Sequence, residues 1–538
     1  MYRIKEKLKL ICASITKKQK WKQNLLLLYL FIVGATQIFL NIYDTVSKSE
    51  LLGNMCIYLG IYFLLLLFVC PKLIELFKKI KIKKEEVVAV NRKEKIKWII
   101  IFLGISFSIL LLRYLASCPG GFSPDSLTQY QQAITGEYSD WHPVLHTLVI
   151  FKFPLKLTGT VEAIVLFQII YFALILAYMA YTILLYSNRK YAVFSLLVVL
   201  LNPFVLNIVM YPWKDVAFAM GTLLLMVYAL KIYFTNGEWM NSWLHMLLFS
   251  VVSVMTMLFR HNAILFVLPL IIGVLLYKKQ KKTYLIVILV LMLTSLIKGP
   301  VYSSLEVESP GSRQIETLGL PMTVIANVVK EHPESLDNET KEFVYSIGSQ
   351  EIWEMCSVGN FNSVKWAGTN LEPIEEAGVL KVLKITGKCF MKEPASALRG
   401  LFALTDMVYQ IDGNMDWNVV PSVRENSYGI EYTGNTVLQN YFNGYYKVIQ
   451  NSVLKYIFLY VGVINLIVVL GILSKFDSRT WKRSFLCIPL LVYNFGTMLL
   501  LTGNDIRFFC LNFMIWPVIL LVLARDENPD IQSQLIEK

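Results

Sequence analysis

The residues best suited to chemistry lie in a polar run, Pro119-Gly120-Gly121-Phe122-Ser123-Pro124-Asp125-Ser126, followed by Asp140-Trp141-His142-Pro143. Both groups stand between long apolar segments, in a chain that otherwise keeps charge out of such segments. A carboxylate at the mouth of a membrane bundle marks a functional position more than a packing one. Asp125 is placed to take a proton from a hydroxyl group. Ser123-Pro124-Asp125-Ser126 also reads as a helix start, with Ser as N-cap, Pro first and an acid in the first turn. That local role would by itself account for Asp125. The predicted helix runs through Ala133 and ends near Gly136. On it Asp125, Gln129 and Gln132 share a face by i, i+4, i+7 spacing, and a carboxylate with two amides suits sugar hydroxyls. Asp140 fits a turn as well as a functional position, His142 can cap the loop or bind a ligand, and Trp141 suits a membrane interface.

Three short turns carry the complementary charge. They are Tyr211-Pro212-Trp213-Lys214-Asp215, Arg260-His261-Asn262 and Asn504-Asp505-Ile506-Arg507. All three are expected on the outer side, where positive charge runs against the topology bias of membrane proteins. Snorkelling at helix ends accounts for any one cation. Lys214, Arg260 and Arg507 together, with His261 beside them, predict a phosphate pocket facing Asp125, because Lys and Arg bind phosphate oxygens through charge-assisted bonds. Asp215 would orient Lys214 or bind the sugar.

The elements that must position these groups are membrane helices. Of 538 residues, 56% are hydrophobic and 17% charged, with mean hydropathy +0.54, which sets the chain apart from soluble domains at about 25% charged. The net charge of +13 does not point to nucleic acid, because the basic residues flank apolar runs. Roughly twelve spans, each near the ~20 residues needed to cross a bilayer, are expected. They are placed at 23–43, 52–70, 98–115, 161–185, 191–209, 216–235, 242–259, 263–277, 283–298, 452–473, 484–502 and 507–524. The Lys-rich start, with Lys5, Lys7 and Lys9, puts the N-terminus inside, and Lys78, Lys79, Arg189, Lys190, Lys278, Lys279, Arg479 and Lys482 then fall in inside loops. The first apolar run reads as an anchor rather than a cleaved signal.

The chain is therefore expected to be an all-α polytopic membrane protein with both termini cytoplasmic. Residues 1–298 form an N-terminal bundle with a functional first external loop (116–160). Residues 299–450 form a mostly helical extracytoplasmic domain inserted before the last three spans, and 451–538 hold the C-terminal helices and tail. Within the insert, helices are predicted over 312–331, interrupted at Pro321, over 334–347, and over 373–410, broken near Pro394. Residues 411–450, rich in Asn, Gly and Tyr, read as turns. The eight cysteines show no paired metal-ligand spacing. Cys356 and Cys389 lie outside and could pair, and no metal ligand is assigned.

This pattern resembles the GT-C superfamily of membrane glycosyltransferases, which includes protein O-mannosyltransferases and aminoarabinose transferases. Ser123-Pro124-Asp125-Ser126 stands at the family's acidic motif, His142-Pro143 at its following turn, and Trp213-Lys214-Asp215 at its second acid. The resemblance covers roughly 98–262. Ser126 stands where the mannosyltransferase pattern places Glu. Leu318-Gly319-Leu320-Pro321 and Leu336-Asp337-Asn338-Glu339-Thr340 resemble an uncharacterised group of Gram-positive bacterial membrane proteins thought to be such transferases. The resemblance implies sugar transfer from a polyprenyl-phosphate donor to a cell-envelope glycan, lipid or protein at the outer face of the cytoplasmic membrane. Asp125 and Asp215 would be catalytic. Gln129, Gln132, Asp140, His142, Lys214, Arg260, His261 and Arg507 would bind substrate. No cofactor beyond the lipid-linked donor is expected, although the resemblance leaves room for a divalent metal. A transporter or flippase of lipid-linked saccharides is the alternative, with Asn202-Pro203 its one candidate helix break. An envelope polysaccharide ligase or polymerase is another.

Overall fold

The computed structural model describes residues 17–84, 92–277, 284–309, 314–413, 419–476 and 481–525. Several basic residues used to set the topology, among them Lys5, Lys7, Lys9, Lys278, Lys279 and Arg479, lie outside the described residues, as does the tail beyond 525. Among the described residues the protein is all-α, with helices, isolated bridges and no strand. It is an all-α membrane protein. Where water is absent, a helix is the element that satisfies every backbone N–H and C=O within one segment.

The bundle opens with α1 (Lys17–Tyr43), α2 (Lys48–Lys79) and α3 (Arg92–Leu115). A short amphipathic helix, α4 (Pro124–Thr135), follows, and then a continuous helical segment over 144–158. Next come α5 (Glu162–Tyr186), α6 (Arg189–Leu200), α7 (Pro203–Ile208), α8 (Lys214–Phe234), α9 (Trp243–Phe259), α10 (Ile264–Leu275) and α11 (Leu285–Leu296). The insert contributes α12 (Gly319–Glu331), α13 (Asn338–Ile347), α14 (Glu372–Lys392), α15 (Pro394–Thr405) and α16 (Thr436–Gln450). The chain closes with α17 (Val461–Lys475), α18 (Trp481–Met498) and α19 (Leu511–Ala524).

Seven described helices are long and apolar enough to cross a membrane. Three further apolar helices, Trp243–Phe259, His261–Leu275 and Val461–Lys475, are shorter. The expected span 191–209 is two helices. Asn202 stops α6, and its Oδ1 accepts from the amides of Phe204 (2.9 Å) and Val205 (3.1 Å), capping α7 with Pro203 in its first turn.

Burial separates the centre from the periphery. The apolar windows of α8 and of the span 506–524 are 83% buried, against 17% for α2 and the span starting at Leu285. The two central helices pack against each other. Their neighbouring ends, at Lys214 and Arg507, meet at the rim where residues 116–160 lie.

The insert has its own core. Met322, Ile325 and Val329 of α12 pack with Phe343 and Ile347 of α13, Trp353, and Val382 and Ile385 of α14. It touches the bundle beside Arg507, where the Asn362 amide donates to the Thr502 carbonyl (3.2 Å). Three expectations change here. Residues 436–450, read as turns, form α16, because Asn435 caps it and Phe442, Tyr446 and Ile449 recur at helical spacing. The break expected at Pro321 falls before Gly319, since Pro fits the first turn of α12. Cys356 and Cys389 are separate, buried free thiols.

Candidate functional site

The site begins with a loop that only glycine can build. Gly120 adopts φ +118°, and a side chain on Gly121 would occupy the space of the Tyr211 ring. Two successive amides tie the loop down: that of Gly121 donates to the Met210 carbonyl (2.8 Å), and that of Phe122 to the Ser422 carbonyl (2.9 Å). Ser123 then caps α4 through the Ser126 amide (3.4 Å), as its sequence predicts. Its hydroxyl also accepts from Trp213 Nε1 (2.8 Å), which fixes α4 to the start of α8. Trp213 in turn stacks on Tyr211, with centroids 4.1 Å apart.

This geometry sets Asp125 at the edge of a charged cluster. Its Oδ2 accepts from Arg507 Nη1 (3.0 Å). Arg507 Nε lies 2.8 Å from Asp505 Oδ2 and 4.0 Å from Asp215 Oδ2, and the guanidinium covers the Trp213 ring at 5.1 Å. Asp215 is also ion-paired with Arg260. The Arg260 Nε donates to Asn262, whose Nδ2 donates to Thr497 Oγ1 (3.0 Å). Lys214 Nζ completes the cluster, 3.3 Å from His142 Nδ1.

The electrostatics follow from burial and neighbours. Burial pushes the Asp125 carboxyl up, but Arg507, Lys214 and His142 outweigh it, and its pKa lies below the ordinary carboxylate value. Asp125 is therefore ionised throughout the physiological range. Burial first, and the Lys214 ammonium second, push His142 down to about 3. The ring is neutral, so Nδ1 accepts from Lys214. His146 is pushed down to about 3, mainly by complete burial.

The residues singled out from sequence divide into three groups. Asp125, His142, Lys214, Asp215, Arg260 and Arg507, drawn from five separate stretches of chain, converge on this cluster. Asp215, expected as a catalytic carboxylate that orients Lys214, instead lies between Arg260 and Arg507, 2% exposed. At the start of α8 it is the buried counter-ion that holds two guanidinium groups together. Gln129 and Gln132, expected to meet a sugar beside Asp125, turn inward. Gln129 Nε2 bonds His146 Nδ1 and Thr147 Oγ1 (both 2.9 Å), and Gln132 Nε2 reaches the Ser139 carbonyl (3.4 Å). The shared face is real, but its lower part seats α4 on the 144–158 segment. Asp140 and His261 line a neighbouring cavity of about 230 Å³ with Met257, Leu258, Ile264 and Lys298. Pro143, next to His142, also lines it, and Asp125 does not.

Sequence reasoning missed Asp505, His146 and the insert's contribution. Lys365, paired with Glu316, lies 6.0 Å from the Trp141 ring and 4.7 Å from that of Trp366. Asp505 was visible in the Asn504-Asp505-Ile506-Arg507 turn, and His146 stands four residues after His142. Nothing local marks Lys365. Among the described residues, no three His, Cys, Asp or Glu converge as a metal site would require.

A family model described as a family of unknown function, DUF6020, matches residues 55–349, more than half of the chain, and the chain belongs to that family. No curated protein and no solved structure matches it.

Proposed function

We propose that the chain is an integral membrane glycosyltransferase of the GT-C type, moving a sugar from a polyprenyl-phosphate donor to a cell-envelope acceptor. The observation that carries this reading is one ionised carboxylate at the bundle rim, facing three clustered cations. Asp125 takes the proton of the acceptor hydroxyl as that oxygen attacks the anomeric carbon. The bond from that carbon to the phosphate oxygen breaks, and the lipid phosphate leaves with the electron pair. Lys214 and Arg507, with Arg260 behind them, stabilise the departing charge in surroundings of low dielectric.

The pairing of Asp125 with Arg507 fits one order of events. A carboxylate engaged by a guanidinium is a weak base. A donor phosphate drawing Arg507 toward itself removes that bond, raises the Asp125 pKa and makes it a better proton acceptor. The first units of the carrier's chain would enter the cavity beside His261, against Met257, Leu258 and Ile264.

In this reading the chain crosses the cytoplasmic membrane about twelve times, with both termini inside and residues 116–160 and the insert outside. The acceptor is a glycan, lipid or protein of the envelope. A transporter would use the break at Asn202-Pro203. There, however, Asn202 Nδ2 donates to the Phe458 carbonyl (2.9 Å) and Oδ1 caps α7, so the broken segment is closed by the protein's own groups.

The test is mass spectrometry of envelope polymers and surface proteins from cells carrying the wild-type chain, Asp125→Asn, or no copy. A hexose or pentose present only with the wild type supports the reading. Its full presence with Asp125→Asn removes Asp125 as the base, and identical envelopes in all three strains refute the transferase.

A further inference from the structure

Arg113, at the end of α3, is 0% exposed and lies outside the Asp125 cluster. Its Nε donates to Asn207 Oδ1 on α7 (3.0 Å), which fixes the plane of the guanidinium. Among the described residues, Nη1 and Nη2 are buried and have no hydrogen-bond partner. The Phe442 ring of α16 covers the group at 5.1 Å, and Tyr432 stands close enough for the guanidinium to act on its phenol. Among the described residues, no carboxylate is paired with it.

A guanidinium in a membrane bundle with its two terminal nitrogens unsatisfied is among the costliest arrangements a fold can keep. Packing alone does not require it, because methionine fills similar volume at no electrostatic cost. The two Nη groups form a fork that matches two oxygens of one oxyanion. The lid over this fork is unusual as well. On α16 Tyr446 and Ile449 are buried, while Val437, Tyr441 and Val448 are 77%, 70% and 65% exposed. A helix with apolar side chains on both faces, packed across the ends of α3 and α7, suits the membrane interface. The same helix carries a buried, unpartnered Oδ1 on Asn443.

We infer that Arg113 is the core of a second anion site, separate from the Asp125 cluster. It takes the phosphate of a membrane lipid between α3 and α16, with Phe442 as the cap that moves aside. The lipid's chains lie beside Leu112 and Leu115, which are 50% and 47% exposed on α3. This inference does not depend on glycosyl transfer. It needs only a bilayer at the ends of these helices.

The experiment is native mass spectrometry of the full chain in detergent, titrated with dihexanoyl phosphatidate. Dihexanoylglycerol serves as the phosphate-free control and inorganic phosphate as the chain-free one. The wild type should retain phosphatidate and not dihexanoylglycerol. Arg113→Met should retain one phosphatidate fewer, with affinity at that site about 10- to 100-fold weaker, the range expected for losing a charge-assisted pair. Arg113→Met should also melt no lower than the wild type in lipid-free detergent, since it removes an unpaired buried charge. Arg113→Lys, which keeps the charge but loses the fork, should fall between, and Phe442→Ala should load faster. Binding of inorganic phosphate alone at Arg113 would reassign the site to a free anion. Equal phosphatidate retention by wild type and Arg113→Met overturns the inference, even if Arg260→Gln loses a bound lipid.

Discussion

Asp125→Asn and Asp215→Asn each remove one negative charge from the same cluster, yet their surroundings demand opposite outcomes. The Asp125 side chain is 36% exposed, and its partner Arg507 keeps Asp505 at 2.8 Å when Asp125 is neutralised. A partly solvated pair of this kind is worth about 0–1 kcal/mol, so Asp125→Asn should leave folding almost unchanged. Its effect should fall on chemistry, with transfer reduced about 10²–10⁴-fold for the loss of a general base. Asp215 is 2% exposed, and the Arg260 side chain it pairs with is 9% exposed. Neutralising it leaves Arg260 buried with the Asn262 oxygen and the face of Phe508, 4.5 Å away. Breaking a buried pair from one side costs about 3–5 kcal/mol, and because asparagine keeps one accepting oxygen the lower end, about 3 kcal/mol, is expected. Both variants can be unfolded from detergent and followed by tryptophan fluorescence, with sugar transfer measured on the folded fractions. Equal stability losses in the two variants, or an Asp215→Asn as stable as the wild type, would refute the division of roles.

Three other outcomes are expected. His142 and His146 titrate near 3 when folded, against about 6.5 when unfolded. The unfolded chain therefore binds more protons between those values, and stability should decline as pH falls below about 6.5. The lowered Asp125 pKa adds a loss of the same sign at still lower pH. His142→Asn should flatten the upper part of the profile, and a wild-type midpoint constant from pH 7 to 5 would contradict the assignment. Asn494 Nδ2 donates to Asn465 Oδ1 and to Asn512 Oδ1 (both 2.7 Å), and Asn512 Nδ2 also holds the Phe509 carbonyl (2.9 Å) behind Arg507. Asn494→Leu should cost about 1–3 kcal/mol through the polar groups it strands, and unchanged unfolding would deny the triad a structural part. A cysteine at position 125 should react with a membrane-impermeant maleimide in intact cells; reaction only after lysis would invert the proposed topology.

Much of the architecture was legible because membrane helices declare themselves by composition. A run of about 20 apolar residues has one economical conformation in a bilayer. The start of α4 was equally plain, since a Ser N-cap followed by Pro acts within a single turn. The α16 helix was not, because its Asn, Gly and Tyr residues imitate loop composition while its buried aromatics are spaced for a helix. The shared face of Asp125, Gln129 and Gln132 followed from helical period, but period cannot say which part of a face is covered. Here His146 and Thr147 of the 144–158 segment take the Gln129 amide, the Ser139 carbonyl takes that of Gln132, and Arg507 takes the carboxylate.

The amino-acid order by itself determined that this chain enters a membrane, where its strongly capped helices such as α4 begin, and that Lys214, Arg260 and Arg507 stand in short turns between apolar segments. Only the tertiary structure decided how they are used. It placed Asp215 between two arginines rather than beside Lys214, set Arg507 on Asp125 across 382 residues of sequence, and closed Phe442 over Arg113. Local sequence settles conformations whose energies are local. Charge pairing depends on distances between elements far apart in the chain, and those distances exist only once the helices have packed.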